Sequence, residues 1–404
     1  MESLVIVSSE NLTSIILSGN STMALPNVLK TTHGPKALWP IMNFNNQTIV
    51  DKITPDMLHL IDPYWLLWIS LYQFAPMDPI WHKILGLVMI VLGIMGWTGN
   101  GIVVYVFLMT PSLRTPSNLL VMNLAFSDLI MMVIMSPQMI INCYYETWIL
   151  GPLMCDIHSM VASLCGCTSI WTMTAIALDR YNVIVKGISG KPFTIKKAIL
   201  EILIIWLFAS VWTVLPMVGW NRYVLEGNMA TCGIDYLAKD WISRSYILVY
   251  SIFVYYTPLF TIIYSYYFIV SAVDAHEKAI RKQTKKMNVQ YLQSGDNQNA
   301  SAEAKLAKVA LMTISLWFMA WTPYLVINYI GIFGGISISP LFTIWGSLFA
   351  KANAVYNPIV YGISHPKYRA ALKEKLPFFV CGSTEDPPAK TAATETSSMT
   401  TANA

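Results

Sequence analysis

Long apolar runs alternate with short polar segments over most of the chain. Seven such runs cover approximately residues 83–110, 116–142, 152–178, 198–219, 244–272, 305–333 and 341–362. Each is near or above the roughly 20 residues that a helix needs to cross a bilayer core. No alternation typical of a β-barrel is visible, and lipid cannot satisfy free backbone groups, so the runs predict an all-α membrane protein with a seven-helix bundle. Prolines inside the runs predict kinks rather than helix ends, at Pro216, Pro258, Pro323 and Pro358.

Composition excludes several classes of protein. Hydrophobic residues make up 55% of the chain and charged residues only 12%, whereas soluble globular domains carry roughly 25% charged residues. An ordinary water-soluble enzyme is therefore excluded, as are a disordered chain and a nucleic-acid-binding protein. The net charge of +4 does not distinguish between classes of protein, so the positions of the charges along the chain are more informative.

Basic residues indicate the orientation of the chain. Most of the 26 lysines and arginines lie in the connections on one side of the predicted bundle, which places the N-terminus outside and the C-terminus in the cytoplasm. The predicted organisation is an extracellular segment (1–82), a seven-helix bundle (83–362), a short amphipathic membrane-surface helix (363–380) and a disordered tail rich in serine and threonine (381–404). Sequons in the outward segment predict glycosylation at Asn11, Asn20 and Asn46.

One ionisable residue lies where lipid disfavours charge. Lys351 is close to the middle of the last run, ~15 Å from either end at a rise of 1.5 Å per residue. A charge at that depth costs at least ~2.5 kcal/mol, so it needs a partner or a purpose. The amine could pair with a carboxylate in a structural ion pair, or could form an imine with an aldehyde. Taken alone, the residue leaves both alternatives open.

Motifs along the runs indicate which of these two roles Lys351 has, because each run contains one motif and together they resemble a known family. They are Asn100, the stretch Leu124-Ala-Phe-Ser-Asp128, Asp179-Arg180-Tyr181, Trp206, Pro258, Trp321-Thr322-Pro323-Tyr324 and Asn357-Pro358-Ile359-Val360-Tyr361. This ordered set resembles the rhodopsin-like G-protein-coupled receptors. A lysine seven residues before Pro358 and the stretch 226–235 resemble the opsins in particular. The stretch Ala275-His276-Glu277-Lys278 is similar to the arthropod rhabdomeric opsins, and residues 56–382 are most similar to their insect long-wavelength branch.

The resemblance implies a visual photoreceptor with 11-cis-retinal or 3-hydroxyretinal bound covalently. Lys351 would carry the chromophore through a Schiff base, and Glu226 would be its counterion; the alternative for Glu226 is an ordinary surface glutamate beside Arg222. The implied retinal pocket contains Trp321, Tyr324, Gly166 and His158, although an aromatic stripe is more often plain core. His158 departs from the pattern, since vertebrate visual opsins carry a glutamate there and insect ones commonly a tyrosine. A neutral imidazole can donate or accept a hydrogen bond but cannot be the counterion.

The resemblance also implies an activation switch. Asp179, Arg180 and Glu303 would form a latch between two helices; the alternative for Glu303 is a solvated acid near a helix start. Tyr266 and Tyr361 would stabilise the open state, next to Asn357 and Pro358. With Asn357, the pair Asn100 and Asp128 suggests a polar network that tunes the switch.

Two of the six cysteines are expected to be paired. The resemblance implies a disulfide between Cys155 and Cys232, with Cys143 as a rival partner near the same face. Cys165 and Cys167 are expected to be inert. Cys381 follows the amphipathic stretch 366–379, and either palmitoylation or an unmodified thiol fits there.

The implied partners lie on the cytoplasmic side. A loop containing His276, Glu277 and Lys278 would help to dock a heterotrimeric G protein of the Gq class, or would simply be the basic flank that fixes topology. A receptor kinase would phosphorylate the tail and recruit arrestin. The predicted location is the plasma membrane, in the rhabdomeric photoreceptor membrane. Two alternatives remain open: a retinal photoisomerase, and a receptor for a diffusible ligand with Lys351 as a salt-bridge partner.

Overall fold

The computed structural model describes residues 4–5, 16–17, 77–187, 193–287, 295–334, 338–364 and 366–379. The α-helices within these ranges are α1 (Pro79–Met109), α2 (Pro116–Tyr145), α3 (Gly151–Tyr181), α4 (Ile195–Val214), α5 (Trp241–Ser251), α6 (Thr257–Met287), α7 (Gly295–Phe333), α8 (Pro340–Ser364) and α9 (Pro366–Lys375). Short 3-10 helices cover Pro111–Leu113, Leu215–Val218 and Pro377–Phe379, and π-helical turns cover Asn182–Lys186 and Ile252–Tyr256.

Two small antiparallel pairs complete the secondary structure of the described residues. β1 (Leu4–Val5) pairs with β2 (Ile16–Leu17). β3 (Tyr223–Leu225) pairs with β4 (Cys232–Ile234), with Val224 opposite Gly233. The β3–β4 hairpin packs on α3 and closes one end of the helix bundle. That end is called the hairpin end below, and the opposite end, which contains Arg180, is called the Arg180 end.

Six helical stretches in the described part of the chain are long and apolar enough to cross a membrane. The fifth of them is one continuous stretch, Trp241–His276, that joins α5, the π-helical turn and α6. The seventh crossing helix, α8, is less apolar because it contains Lys351, Asn353 and Asn357, and it packs against α1, α2 and α7. These three polar residues lower the mean hydropathy of α8, but all three are buried and face the inside of the bundle.

Side-chain caps fix where several helices begin. The carboxylate of Asp78 accepts from the backbone of Ile80, and Thr115 accepts from Asn118. Asp240 caps α5 by accepting from the backbone N–H of Ser243 at 2.8 Å. Partial burial raises the pKa of Asp240, but the hydrogen bonds from Ser243 outweigh it and hold the pKa below its usual value. Each cap satisfies backbone donors that have no partner within the helix.

Pro216 ends a helix instead of bending it, so the prediction of a kink there was wrong. The α-helix stops at Val214, and Pro216 lies in the following 3-10 turn. A proline has no N–H for the carbonyl four residues earlier, here that of Trp212. The hydroxyl of Tyr246 on α5 donates to that carbonyl at 3.0 Å. A neighbouring span thus supplies the missing donor.

The kinks predicted at Pro323 and Pro358 fall inside continuous helices. The carbonyl left free by Pro358 belongs to Ala354, and the side-chain amide of Asn100 on α1 donates to it at 2.7 Å. Asn100 therefore repairs the weakened turn of α8 from a different helix. Pro137 inside α2 is a further proline of this kind that the sequence analysis did not single out.

Helices extend beyond the apolar runs where the sequence predicted a loop. α6 continues to Met287 and α7 begins at Gly295, so His276, Glu277 and Lys278 lie on α6, not in a loop. Lys278 pairs there with Asp274, one turn away, at 2.6 Å. Glu303 lies eight residues after Gly295 and so is inside the helix, not at its start. The apolar runs end before the helices do, because residues that favour a helix continue the helical conformation beyond the last apolar positions.

The predicted amphipathic helix after the last span is present as α9 and the short 3-10 turn that follows it. Tyr368 of α9 stacks on Phe107 of α1, with ring centroids 5.7 Å apart. Both rings are buried, so α9 is fixed against the first span at the Arg180 end.

Candidate functional site

A cavity lies inside the bundle beneath the β3–β4 hairpin. Side chains of α2, α3, α5, α7, α8 and the hairpin line it, and it contains about 1040 Å³ of atom-free space, counting its mouth. Its walls are mainly apolar with a few polar groups, which is typical of small-molecule sites. The lining brings together five residues that the sequence analysis assigned to the attachment site, its counterion and the pocket, which are Lys351, Glu226, Gly166, Trp321 and Tyr324. These residues are up to 185 positions apart in the sequence, yet they face one space.

Lys351 presents its amine to this cavity from the middle of α8. The side chain is buried, with 6% of the residue exposed, and Nζ donates to Oγ of Ser347 at 2.9 Å. Among the described residues no carboxylate lies within 4.0 Å of Nζ, so the structural ion pair considered for this lysine is not formed. An amine held in apolar surroundings by one hydroxyl is available for a ligand.

A disulfide ties the hairpin to the bundle. Cys155 on α3 is bonded to Cys232 on β4, with a Cα–Cα distance of 5.4 Å, as the resemblance implied. The rival partner Cys143 is free and buried, as are Cys165 and Cys167. The bond crosses 77 positions of sequence and fixes the hairpin over the cavity.

Glu226 is held by the hairpin itself. Only 4% of it is exposed, so it is not a surface glutamate. Its carboxylate accepts a hydrogen bond from Thr231 at 2.6 Å and another from Asn228 at 3.5 Å. The hydroxyl of Tyr324 on α7 lies on the same side, since a Cβ added to Gly233 would be within 2.5 Å of both Glu226 Oε1 and that hydroxyl. Burial and the nearby charge of Glu226 raise the pKa of the hairpin residue Tyr236 well above its usual value.

The sequence analysis missed Thr231 and Asn228, although both lie in the stretch 226–235 that it used. Asn228 Oδ1 also accepts from the backbone N–H groups of Ala230 at 2.9 Å and of Thr231 at 3.0 Å. Asn228 thus orients Thr231 towards Glu226. The sequence did contain an indication of this role, because an amide and a hydroxyl follow Glu226 in a segment rich in turn-forming residues.

Aromatic rings form the floor of the cavity. Trp321 stacks on Trp317, with centroids 5.5 Å apart, and meets Tyr324 edge to face at 6.3 Å. A Cβ added to Gly166 would lie 2.7 Å from Cη2 of Trp321, so only glycine fits at this point of α3. Trp317 was not predicted, although its spacing of four residues before Trp321 places both on one helix face.

His158 is fully buried beside the cavity lining. Its Nδ1–H donates to Oε1 of Gln138 at 2.7 Å, and its ring meets Trp148 edge to face at 5.4 Å. Its Nε2 has no hydrogen-bond partner among the described residues. His158 was predicted to line the pocket, whereas the lining contains its neighbour Ser159 instead.

A polar network lies deeper in the bundle. Asp128 accepts from Asn357 at 2.7 Å and from Ser169 at 3.1 Å, and Ser127 contacts Ser169 at 3.1 Å. Asp128 and Asn357 were both expected in this network. Asn100, also expected, bonds to the α8 backbone rather than to the carboxylate. The network joins α2, α3 and α8 between the cavity and the Arg180 end.

At the Arg180 end, Asp179 and Arg180 form an ion pair with each other. Ser117 on α2 donates to Asp179 at 2.7 Å and accepts from Arg180 at 2.7 Å. The sequence analysis did not predict Ser117, because its position beside this pair follows from how α2 packs on α3. Tyr266 on α6 donates to the carbonyl of Ala307 on α7 at 2.9 Å. These two helices are therefore joined near the same end.

Comparison with known proteins identifies the family. Residues 99–361 match the family model of the 7 transmembrane receptors of the rhodopsin family. This chain belongs to that receptor family. The chain is 67% identical over 353 residues to a rhodopsin of Camponotus atriceps, covering 87% of this chain and 92% of the relative. It is 64% identical to the long-wavelength rhodopsin of Apis mellifera, covering 89% and 93%. The resemblance to arthropod visual opsins is confirmed.

The fold of this receptor also matches a solved structure. The crystal structure of squid rhodopsin superposes with a TM-score of 0.72 at 33% identity, covering 81% of this chain and 92% of the squid chain. The seven-helix membrane architecture predicted from the apolar runs is thereby confirmed.

Several predicted features of this receptor lie outside the described residues. They are the sequons at Asn11, Asn20 and Asn46, Cys381 and the tail, and the side chains of Glu277, Glu303 and Tyr361. Their roles remain predictions.

Proposed function

We propose that this receptor is a visual photoreceptor that carries 11-cis-retinal or 3-hydroxyretinal on Lys351 and activates a G protein of the Gq class. The buried amine of Lys351 supports this most directly, since it faces an apolar cavity and its described hydrogen-bond partner is the hydroxyl of Ser347. The relatives named as rhodopsins support the same function.

The residues present fit retinal, which is an elongated apolar aldehyde. The cavity wall is mainly apolar, the ring of Trp321 forms its floor, and Gly166 leaves room for that ring to pack against α3. A desolvated lysine amine is the group in proteins that bonds covalently to aldehydes. Bound to Lys351 through a Schiff base, retinal would supply visible absorption and a light-driven change of shape.

Glu226 supplies the negative charge of this site. It interacts electrostatically with Lys351 across the cavity, and hydrogen bonds from Thr231 and Asn228 hold its carboxylate in place. A cation in an apolar cavity needs such an anion, since burial alone favours the neutral amine. The disulfide keeps this charge over the cavity by fixing the hairpin.

Trp321 transmits pressure from the cavity to α7. It lies two residues before Pro323, where the helix lacks one backbone hydrogen bond. A change of shape in the cavity therefore bends α7 at this point and moves the part of α7 that leads to the Arg180 end. In the proposed orientation, with the N-terminus outside, that end faces the cytoplasm.

The Arg180 end is the proposed coupling surface. Asp179, Arg180 and Glu303 form the latch, and Tyr266 and Tyr361 stabilise the open state. Exposed His276 and Lys278 on α6 contribute to docking the G protein, and a receptor kinase and arrestin act on the tail. The proposed location is the rhabdomeric photoreceptor membrane.

An absorption spectrum of the purified receptor tests this function. After reconstitution with 11-cis-retinal, we expect a visible band that changes on illumination, together with light-dependent nucleotide exchange on a Gq-class G protein. Absence of a band would favour a receptor for a diffusible ligand. A band without nucleotide exchange would favour a retinal photoisomerase, which needs no latch at the Arg180 end.

Glu226→Gln tests the counterion. Loss of the negative charge should lower the pH at which the visible band disappears, because the protonated amine loses its partner; a change of one pKa unit corresponds to about 1.4 kcal/mol. The measurement is a spectral pH titration. Asp235→Asn is the matched control, since Asp235 is a buried acid of the same loop that pairs with Arg222 at 2.8 Å. Identical titrations of wild type and Glu226→Gln would contradict the assignment.

Ser117→Ala and Glu303→Ala test the latch. Ser117 bonds to both members of the Asp179–Arg180 pair, and hydrogen bonds to charged groups contribute about 1.5–3 kcal/mol. Each variant should therefore raise nucleotide exchange in the dark by roughly tenfold or more. Asn118→Ala is the control, because the side-chain amide of this neighbouring residue bonds to the carbonyl of Leu113 and to neither member of the Asp179–Arg180 pair in the described structure. Variants as quiet as wild type would exclude the latch.

A further inference from the structure

Two side-chain hydroxyl bonds connect the fifth span to α7. Ser251, the last residue of α5, lies 2.6 Å from the hydroxyl of Tyr329. Tyr255, in the π-helical turn, lies 2.7 Å from the hydroxyl of Thr322. They are called the α5–α7 hydroxyl bonds below. Neither of these hydroxyl bonds has a part in the attachment site, the counterion or the latch described above.

Hydrogen counting settles which group donates in each bond. Ser251 already donates its one hydrogen to the carbonyl of Leu248 at 2.8 Å. Thr322 likewise donates its hydrogen to the carbonyl of Phe318. Each hydroxyl has one hydrogen but two acceptor sites, so both tyrosines must donate. The bonds are thus reciprocal, since Tyr255 donates to α7 and Tyr329 donates to α5.

The two bonds lie at and beyond the weakest turn of α7. Thr322 directly precedes Pro323, whose missing N–H leaves the carbonyl of Met319 without its helical donor. Tyr329 is two turns further on, towards the hairpin end. The hydroxyl bonds therefore hold residues 322–333 and leave the longer part of α7, which leads to the Arg180 end, on the other side of the proline.

Close contacts hold the same segment on its other sides. A Cβ added to Gly331 would lie 2.5 Å from the carbonyl oxygen of Tyr236, so the hairpin loop touches the α7 backbone. A Cβ added to Gly346 of α8 would lie 2.5 Å from Cδ1 of Ile327. Residues 322–333 are therefore packed between the hairpin loop, α5 and α8 with little room to shift.

From this geometry we propose that Tyr255 and Tyr329 hold residues 322–333, called the pivot below, in place while the rest of α7 swings at Pro323. The proposal deepens the proposed function, on which it rests. A bend transmits motion only if one side of it stays in place. Tyr255 and Tyr329 are in this sense positioning residues, because they act through α7.

Amide hydrogen exchange tests the pivot without light. In the purified receptor, residues 322–333 should exchange slowly, and Tyr329→Phe should increase their opening by roughly three- to tenfold, the effect of losing one net hydrogen bond. Ser245→Ala is the matched control, because it removes an α5 hydroxyl bond to Trp220 that does not reach α7. Equal exchange of these residues in wild type and Tyr329→Phe would overturn the proposal.

Light-evoked nucleotide exchange gives a second, functional test. Tyr255→Phe and Tyr329→Phe should each lower it by roughly three- to tenfold per mole of illuminated pigment. In a double-mutant cycle, Thr322→Val should add little to Tyr255→Phe, since both remove the same bond. A rise of dark activity in Tyr329→Phe would show a latch instead and overturn the pivot. If Tyr329→Phe increases hydrogen exchange in residues 322–333 but the wild-type receptor shows no response to light, the photoreceptor function is refuted and the positioning role of Tyr329 is retained.

Discussion

Lys351→Ala should yield a folded receptor with no visible absorption band after incubation with 11-cis-retinal. The amine is the proposed point of attachment, and no side chain with comparable chemistry is found in the cavity lining of the described structure. The variant should fold, since a buried amine with one hydroxyl partner destabilises the apoprotein and its removal relieves that cost. The effect on the pigment should be complete rather than graded, because the bond either forms or does not.

Lys308→Ala is the control for this experiment. Lys308 is an exposed lysine of α7 and should leave both the band and its response to light intact. A second check is mass analysis of wild-type peptides after the chromophore bond has been reduced, which should place the added mass on the peptide containing Lys351. A visible band in Lys351→Ala, or label on another lysine, would refute the attachment site.

Cys232→Ser should produce the second large effect, a loss of stability together with a loss of pigment. Breaking a disulfide that closes a loop of this length costs about 2–5 kcal/mol, and here the loop contains most of α3, all of α4 and strand β3. Freed from α3, the hairpin would no longer hold Glu226 over the cavity. We expect a lower midpoint of thermal denaturation and little pigment at neutral pH, measured by absorbance during heating.

The paired cysteines also provide an internal check. Cys155→Ser should match Cys232→Ser, and the double variant should be no worse than either, because each removes the same bond. Cys143→Ala, which changes a free buried cysteine, should behave close to wild type. A double variant much less stable than both single ones would mean that each cysteine has another role.

Much of the architecture could be predicted from residue order alone. Apolar runs of membrane length gave seven helices, and the lysine inside the last run stood out because lipid disfavours its charge. The pairing of Cys155 with Cys232, implied by the resemblance of the loop, is present in the structure. The helices and the lysine could be predicted because hydrophobicity is a property of each segment alone, and the disulfide because its loop matches a motif by residue type and spacing.

Side-chain partners could not be predicted in the same way. Ser117 beside Arg180, Thr231 beside Glu226 and Tyr255 beside Thr322 join segments whose mutual rotation the sequence does not state. A turn of one helix by a single residue, about 100°, would point each of these groups elsewhere. The prediction at Pro216 failed for a related reason, because the donor that satisfies the carbonyl of Trp212 comes from Tyr246 in another span.

The sequence by itself determined that this chain crosses a membrane seven times and buries a lysine in the last crossing, since hydrophobic transfer is a property of each segment alone. Only the tertiary structure decided that Lys351 and Glu226 face one cavity without pairing, and that residues 322–333 are held to α5 on one side of Pro323. Packing sets these relations because each depends on the distance and rotation between two helices, which neither helix carries in its own residues.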